Sequence, residues 1–255
     1  MSKVYLVGAG PGDPELLTLK GLRVIKEADV ILYDRLVNEE LLEYAKPNTE
    51  LIYCGKIPGQ HYVKQEYINE LLCQYGEERK IVVRLKGGDP FIFGRGGEEA
   101  AVLQKRGISF EVIPGITSGI AAPAYAGIPL THRNISSSVT FISGYNPDKD
   151  TKEYWTHLAN SVETLCIYMG VKRLPEICEK LLYHGMDGDT PAAAIHWGTT
   201  TSQHTIIGTL GDFMNRIDEI KNPSMIVIGE VVRLHEYIQW FEETEKSRQK
   251  VTSLF

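Results

Sequence analysis

Two apolar runs that each end in a glycine-rich turn constrain the fold of this chain more than any other feature. The run IVV at 81–83 leads into RLKGGDPFIFGRGGEE at 84–99, and the run VYLV at 4–7 leads into GAGPGDPELLT at 8–18. The glycines of these turns carry no Cβ, so the backbone can bend sharply and approach a ligand closely. Open α/β sheets bind ligands at such turns, outside the carboxyl ends of the strands. The pattern therefore predicts an α/β protein with a ligand site at these turns.

Strand-like apolar runs alternate with helical patterns along the chain, which predicts two α/β domains. The first, 1–132, is expected to contain a mostly parallel sheet covered on both faces, and the second spans 137–243. A short turn separates the strands predicted at Ala192–Trp197 and Thr205–Gly208, which indicates a hairpin and a mixed second sheet. Residues 244–255 form a charged tail. Helical spacing of apolar residues predicts helices at Pro14–Ala28, Gln65–Tyr75, Glu98–Arg106, Ser118–Ala126, Leu174–Tyr183 and Leu210–Ile220.

Composition excludes several classes of function. A chain of 255 residues with 43% hydrophobic and 24% charged residues is typical of a globular enzyme. No apolar stretch reaches the roughly 20 residues that span a bilayer, and the N-terminus does not resemble a signal peptide. The net charge of −6 argues against nucleic acid as the main partner. Four cysteines without metal-ligand spacing predict a reduced, cytoplasmic protein, and the dispersed histidines predict that no metal is bound.

The first glycine turn departs from the dinucleotide-binding fingerprint. Asp13 stands where G-x-G-x-x-G has its third glycine, and Pro11 lacks an amide donor. An aspartate there would repel the pyrophosphate that this fingerprint holds at a helix N-terminus. From the residues alone, a ligand-binding loop and a tight βα turn without a ligand remain equally open.

Motifs spread over nearly the whole chain resemble the tetrapyrrole methyltransferases, which use S-adenosylmethionine. They are VGAGPGDPELLTLKG (7–21), YDRLV (33–37), CGKIPG (54–59), the run at 84–99, PGITSGIAAPAYAGIPLTHR (114–133), YMG (168–170), WGTT (197–200) and IVIGEVVRL (226–234). The resemblance implies the tetrapyrrole methylase fold, with the active-site cleft between two α/β domains. It also implies S-adenosylmethionine as cofactor, S-adenosylhomocysteine as product and a homodimer. The implied reaction methylates uroporphyrinogen III at C2 and C7, giving precorrin-2 through precorrin-1 for siroheme or cobalamin biosynthesis.

The resemblance also assigns site residues. It implies that Asp34 accepts a proton and that Lys56 donates one, and both residues follow predicted strands. Without it, the alternatives for Asp34 are a surface turn residue or a salt bridge with Arg35, and the alternative for Lys56 is a solvated loop lysine, the commoner environment of lysine. The residues expected to bind the cofactor are Pro11, Gly87, Gly88, Asp89, Ile92, Thr117, Ser118, Met169 and Gly198. On sequence alone Met169 is more simply a core methionine, and Thr117-Ser118 a helix cap.

A polycarboxylate substrate requires cationic side chains, with arginine favoured for bidentate contacts. The candidates, besides Lys56, are Arg35, Arg84, Lys86, Arg95 and Arg133. Two alternatives remain open, namely a methyltransferase that acts on a later precorrin and an NAD-linked or non-catalytic Rossmann protein. The pair His196-Trp197 differs from the Glu-Asn type of sequence that usually precedes the motif glycine at the cofactor rim in this family. The small apolar segment Ala121–Pro129 suits a subunit interface or an internal contact equally well.

Overall fold

The computed structural model describes residues 3–55, 64–78, 80–144 and 150–241. It divides into two compact units, Met1–Thr117 (the first unit) and Ser118–Phe255 (the second unit). The division falls earlier in the chain than the domain boundary expected after residue 132, which stays a prediction. No helix in the described ranges is long and apolar enough to cross a membrane.

The first unit is built on a five-stranded sheet in the order β3-β2-β4-β1-β5, with every neighbouring pair parallel. Its strands are β1 Lys3–Gly8, β2 Val30–Tyr33, β3 Glu50–Tyr53, β4 Ile81–Lys86 and β5 Phe110–Ile113. Its helices are α1 Leu19–Glu27, α2 Gln65–Glu77 and α3 Gly96–Lys105, with 3-10 turns at Pro14–Leu16 and Glu39–Tyr44. The confirmed parallel sheet brings the carboxyl ends of all five strands to one edge.

Alternating side chains on these strands supply two cores. Val4 and Leu6 pack with α2 and α3 on one face of the sheet, whereas Val7 packs with α1 on the other. Helices therefore cover both faces, as a parallel sheet requires. The helix predicted over Pro14–Ala28 begins only at Leu19, because Thr18 caps it with an oxygen that accepts the Gly21 amide at 3.0 Å.

The second unit contains a mixed sheet in the order β6-β7-β10-β8-β9. Its strands are β6 Val139–Ser143, β7 Thr164–Tyr168, β8 Pro191–His196, β9 His204–Thr209 and β10 Ser224–Ile228. Its helices are α4 Ser118–Tyr125, α5 Lys152–Ser161, α6 Leu174–Tyr183, α7 Leu210–Phe213 and α8 His235–Ile238, with 3-10 turns at Val171–Arg173, Ile217–Glu219 and Glu230–Leu234. β6 and β7 are parallel, and the remaining pairs, including the predicted β8–β9 hairpin, are antiparallel. The mixed sheet and the hairpin are confirmed.

The second sheet also has a core on each face. Leu158 of α5 and Leu181 of α6 pack on one face, and Ala122 of α4 packs on the other with Cys166. The helix predicted over Leu210–Ile220 ends at Phe213. The chain then folds back, and the Arg216 guanidinium donates to the Ile207 carbonyl at 3.0 Å.

Candidate active site

The strand order of the first sheet reverses at the carboxyl ends of β1 and β4. These strands are neighbours, but β1 continues through α1 to β2 on one side, while β4 continues through α3 to β5 on the other. Such a reversal of strand order opens a ligand-binding crevice in open α/β sheets. Both glycine-rich turns of the sequence lie at this point.

Three loops meet backbone to backbone at this reversal. The Gly10 amide donates to the Gly88 carbonyl at 3.2 Å, and the Gly88 amide donates to the Gly10 carbonyl at 2.6 Å. A Cβ added to Gly8 would lie 2.5 Å from the Gly115 Cα and 2.6 Å from the Gly88 oxygen. Gly88 also has φ +72°, a left-handed conformation that favours glycine. We call Gly8, Gly10, Gly88 and Gly115 the glycine cradle.

Asp89 clamps this cradle. Its Oδ1 accepts the amides of Phe91 at 2.8 Å and Ile92 at 3.1 Å, and its Oδ2 accepts the Gly115 amide at 3.0 Å. One carboxylate thus fixes the loop after β4 and ties it to the loop after β5. This structural role is compatible with the predicted role of Asp89 and Ile92 in cofactor binding.

The other acidic residues of the first loop and of the β2 end are also engaged with backbone amides. Asp13 Oδ1 accepts the Glu15 amide at 2.8 Å and caps the following 3-10 turn. Asp34 lies half-buried directly after β2, and its Oδ1 accepts the Leu36 amide at 3.0 Å. A Cβ on Gly87 would lie 2.8 Å from the Leu36 Cβ, so the loops after β2 and β4 also touch. The predicted proton acceptor therefore lies beside the predicted cofactor loop.

Arg84 and Lys86 are buried beneath these loops with Glu99 of α3. Their exposed fractions are 4%, 3% and 1% respectively. Glu99 Oε1 accepts hydrogen bonds from Arg84 Nε at 3.1 Å, Lys86 Nζ at 3.0 Å and Gln65 Nε2 at 3.1 Å. Burial lowers the pKa of Lys86. Burial also raises the pKa of the thiol of Cys54, which directly follows β3. The two cations predicted to bind substrate are thus already paired with a carboxylate inside the unit.

Glu99 and Gln65 were missed as site residues by sequence reasoning. The signal was present, because Arg84 and Lys86 are two residues apart on a buried strand and therefore point to the same face. Two cations on one buried face require a carboxylate partner. The sequence could not show which carboxylate supplies it.

The other described residues that were predicted to bind substrate are more exposed than Arg84 and Lys86. Arg35, Arg95 and Arg133 are exposed. Arg95 donates to both oxygens of Glu98, at 2.9 and 2.7 Å, and this pairing lowers the pKa of Glu98. Lys56 lies outside the described residues.

In the second unit, the loops after β7 and β8 lie at one edge of the sheet, close to the N-terminus of α4. Tyr168 Oη accepts the Gly119 amide at 2.9 Å. A Cβ on Gly198 would lie 2.4 Å from the Ala122 Cβ, which keeps the β8 loop against α4. Met169 directly follows β7 and is 59% exposed, so it is not the core methionine that the sequence alone favoured. Ser118, at the start of α4, is half-buried. In the first unit, Pro11 is half-buried and Thr117 is buried.

Left-handed backbone at non-glycine residues is concentrated in the same loops. These residues are Phe93, Arg95, Met169, Trp197 and Thr199, with φ between 45° and 71°. Such conformations are costly for side chains with a Cβ and tend to occur at binding and active sites. Their positions after β4, β7 and β8 support a functional role for these loops.

A separate cavity of about 470 Å³ lies in the second unit. The lining residues are Ala194, His196, His204, Ile206, Asp218, Glu219, Ile220, Lys221 and Ser224. His196 Nδ1 lies 2.9 Å from the Pro223 carbonyl oxygen, so this ring is bonded to the loop before β10. None of the predicted site residues lines the cavity.

The glycines of the cradle are explained by contacts between the loops themselves, because a Cβ on Gly8 would collide with the Gly115 backbone and the Gly88 oxygen. Asp13 in the first loop presents a carboxylate where a pyrophosphate would need a neutral contact, which disfavours a nicotinamide dinucleotide there. Within the described ranges, no group of three or more His, Cys, Asp or Glu side chains is placed to hold a metal ion.

Comparisons with known proteins identify the family of the chain. The family model of the tetrapyrrole (corrin/porphyrin) methylases matches residues 3–214. The chain is 60% identical over 235 residues to a uroporphyrinogen-III C-methyltransferase of Priestia megaterium, covering 91% of this chain and 99% of that one. It is 57% identical over 251 residues to a uroporphyrinogen-III C-methyltransferase of Bacillus subtilis, covering 97% and 98%. The crystal structure of the Thermus thermophilus uroporphyrin-III C-methyltransferase with S-adenosyl homocysteine superposes with a TM-score of 0.79 at 41% identity, covering 91% and 99%.

Proposed function

The chain belongs to the tetrapyrrole (corrin/porphyrin) methylase family, and on that basis we propose that it methylates uroporphyrinogen III using S-adenosylmethionine. The product is precorrin-2, formed through precorrin-1 by methylation at C2 and C7, for siroheme or cobalamin biosynthesis. The observation that carries the proposal is the 60% identity to a uroporphyrinogen-III C-methyltransferase across 99% of that relative. The first loop supports it against a dinucleotide-binding alternative, because the Asp13 carboxylate would repel a pyrophosphate.

Holding the reactants is the main task of such an enzyme. S-adenosylmethionine, when bound, supplies a methyl group that its sulfonium already activates. The residues proposed to hold it are those that the resemblance implies, namely Pro11, Gly87, Gly88, Asp89, Ile92, Thr117, Ser118, Met169 and Gly198. The clamp made by Asp89 and the crowding at Gly198 keep these loops rigid. Rigid positioning of this kind lowers the barrier through proximity and orientation.

Proton transfer is the step that a side chain must perform. Methylation of a pyrrole carbon leaves a cationic ring that must lose a proton, and we assign that proton to Asp34. Its carboxylate lies at the carboxyl end of β2, half-buried and oriented by the Leu36 amide. One acid or base group suffices for this transfer, and Lys56, which the resemblance assigns as a proton donor, is the alternative to Asp34. A positioned acid or base of this kind typically contributes about 100- to 10,000-fold in rate.

The substrate carboxylates require arginines that solvent can reach. Arg35, Arg95 and Arg133 are exposed and are the first candidates for direct contact. Arg95 donates from Nε and Nη2 to Glu98, so a substrate carboxylate must either use its remaining Nη1 or displace Glu98. Arg84 and Lys86 remain candidates, but both are buried and paired with Glu99.

A cytoplasmic homodimer is proposed from the resemblance and from the frequency of two-fold dimers among enzymes. The small apolar segment Ala121–Pro129 adds no support, because its residues Ala122, Ala126 and Ile128 are buried in the core of the second unit. Light scattering of active protein at micromolar concentration tests the dimer. A mass near the single-chain 28.6 kDa would contradict it.

Two measurements test the function. Calorimetry with a chelator present should show binding of S-adenosylhomocysteine, whereas NAD should not bind. Methyl uptake should then be compared between uroporphyrinogen III and later precorrins under anaerobic conditions. Faster uptake by a later precorrin would favour the alternative methyltransferase, and tight NAD binding without S-adenosylhomocysteine binding would contradict the whole assignment.

A further inference from the structure

We propose that Glu99 and Arg84 act as positioning residues that fix the carboxylate of Asp34 for proton transfer. The inference rests on the proposed function, since it assumes that Asp34 accepts the proton. Glu99 lies on α3, Arg84 on β4 and Asp34 after β2, so three parts of the first unit form one chain of charges that runs from the buried Glu99 to the half-buried Asp34.

Arg84 links the two carboxylates through different nitrogens. Its Nε donates to Glu99 Oε1 at 3.1 Å, while its Nη2 lies 3.7 Å from Asp34 Oδ2. Its Nη1 donates to the carbonyls of Leu32 at 3.4 Å and Leu85 at 3.2 Å. These bonds leave the planar guanidinium little freedom to rotate. The position of Nη2, the guanidinium nitrogen that faces Asp34, is therefore fixed by the hydrogen bonds to Glu99 and to the backbone.

Asp34 is oriented from both sides as a result. The Leu36 amide holds its Oδ1, and the Arg84 Nη2 attracts its Oδ2. Two charged groups and one thiol surround Asp34 and Arg84, namely Lys86, Glu99 and Cys54. These three groups also interact electrostatically with one another. Two cations face two carboxylates, so the cluster carries no net charge when all four are ionised.

The cluster is poorly explained by stability alone. A buried ion network is often no more stabilising than apolar side chains of the same volume. Glu99 Oε2 is buried and has no hydrogen-bond partner among the described residues, which adds a further cost. Fixed orientation of Arg84, and through it of Asp34, is a function that apolar side chains could not supply.

The test is a double-mutant cycle that combines Glu99→Gln with Asp34→Asn. Glutamine keeps the volume of Glu99 but removes its charge. We expect Glu99→Gln alone to lower kcat by about 10- to 100-fold, the range typical of residues that orient a functional group at metal sites. The dissociation constant of S-adenosylhomocysteine should change by less than about twofold. In the Asp34→Asn background, where the oriented group is absent, Glu99→Gln should change kcat by less than about twofold.

The matched control is Glu70→Gln, which breaks an exposed pair with Arg106 between α2 and α3. It should leave kcat unchanged. If Glu99→Gln does not fold, Arg84→Lys replaces it, because lysine keeps the positive charge but lacks the guanidinium fork. Its effect on kcat is then compared between the wild-type and Asp34→Asn backgrounds. Equal losses of kcat in both Asp34 backgrounds, or parallel losses of kcat, affinity and melting temperature, would overturn the inference. Wild-type protein that does not methylate uroporphyrinogen III would instead refute the proposed function, so the two failures are distinguishable.

Discussion

Replacing Asp89 with asparagine tests whether one carboxylate holds the loops of the glycine cradle together. The carboxylate accepts two amides on Oδ1 and the Gly115 amide on Oδ2. Asparagine keeps one acceptor oxygen, so its NH2 group must face at least one backbone N–H. A hydrogen bond to a charged group contributes about 1.5–3 kcal/mol. We therefore expect the free energy of unfolding to fall by about 2 kcal/mol, because one such bond is lost.

The assay is thermal unfolding together with calorimetric titration of S-adenosylhomocysteine. A loss of about 2 kcal/mol corresponds to a fall in melting temperature of about 4–8 °C for a chain of this size. Affinity for S-adenosylhomocysteine should also fall, because the β4 loop is no longer tied to Gly115. The control is Asp187→Asn, where a single exposed amide, that of Asp189, is accepted at 3.0 Å and asparagine can accept it equally well. Wild-type melting and affinity in Asp89→Asn, or an equal loss in the control, would refute the clamp.

Three further predictions follow from the site and the fold. Asp34→Asn should lower kcat by about 100- to 10,000-fold while the affinity for S-adenosylhomocysteine stays near wild type; loss of stability with normal turnover would show a turn residue only. Gly198→Ala should cost about 1–3 kcal/mol in unfolding free energy and weaken cofactor binding, because its methyl group collides with α4; normal denaturant unfolding would contradict the crowding. Hydrogen bonds from Arg173 and Lys180 lower the pKa of Glu176 to about 2. These hydrogen bonds therefore stabilise the folded chain fully above pH 4.5, the ordinary pKa of Glu176, and their contribution is lost as the pH falls toward 2. In acid unfolding measurements, the stability advantage of wild type over Glu176→Gln should shrink across that window.

Local patterns in the sequence were sufficient to predict most of the fold. The helix Leu174–Tyr183 was predicted with its observed bounds, and the strands predicted at Ala192–Trp197 and Thr205–Gly208 agree with β8 and β9 to within one residue at each end. Helix ends set by side-chain caps were less predictable. The predicted helix Pro14–Ala28 begins at Leu19 because Thr18 caps it, and α5 at Lys152–Ser161 was missed although Thr151 caps it in the same way.

The site was predictable where it depends on loops that follow strands, and less so where it depends on packing. The meeting of Gly8, Gly88 and Gly115 follows from the parallel order of β4, β1 and β5, which one sequence does not reveal. The pairing of Arg84 with Glu99 depends on how α3 lies over the sheet. Contacts between residues far apart in the chain depend on tertiary structure, which one sequence does not reveal. A strand that ends in glycines is a local pattern that can be identified in the sequence.

Anaerobic incubation of the protein with uroporphyrinogen III and methyl-labelled S-adenosylmethionine tests the central assignment most directly. The mass of the tetrapyrrole and its label should be followed with time. We expect a transient product with one added methyl group, then a final product with two, and one S-adenosylhomocysteine released for each transfer. A protein that binds S-adenosylhomocysteine but leaves uroporphyrinogen III unlabelled would contradict the account.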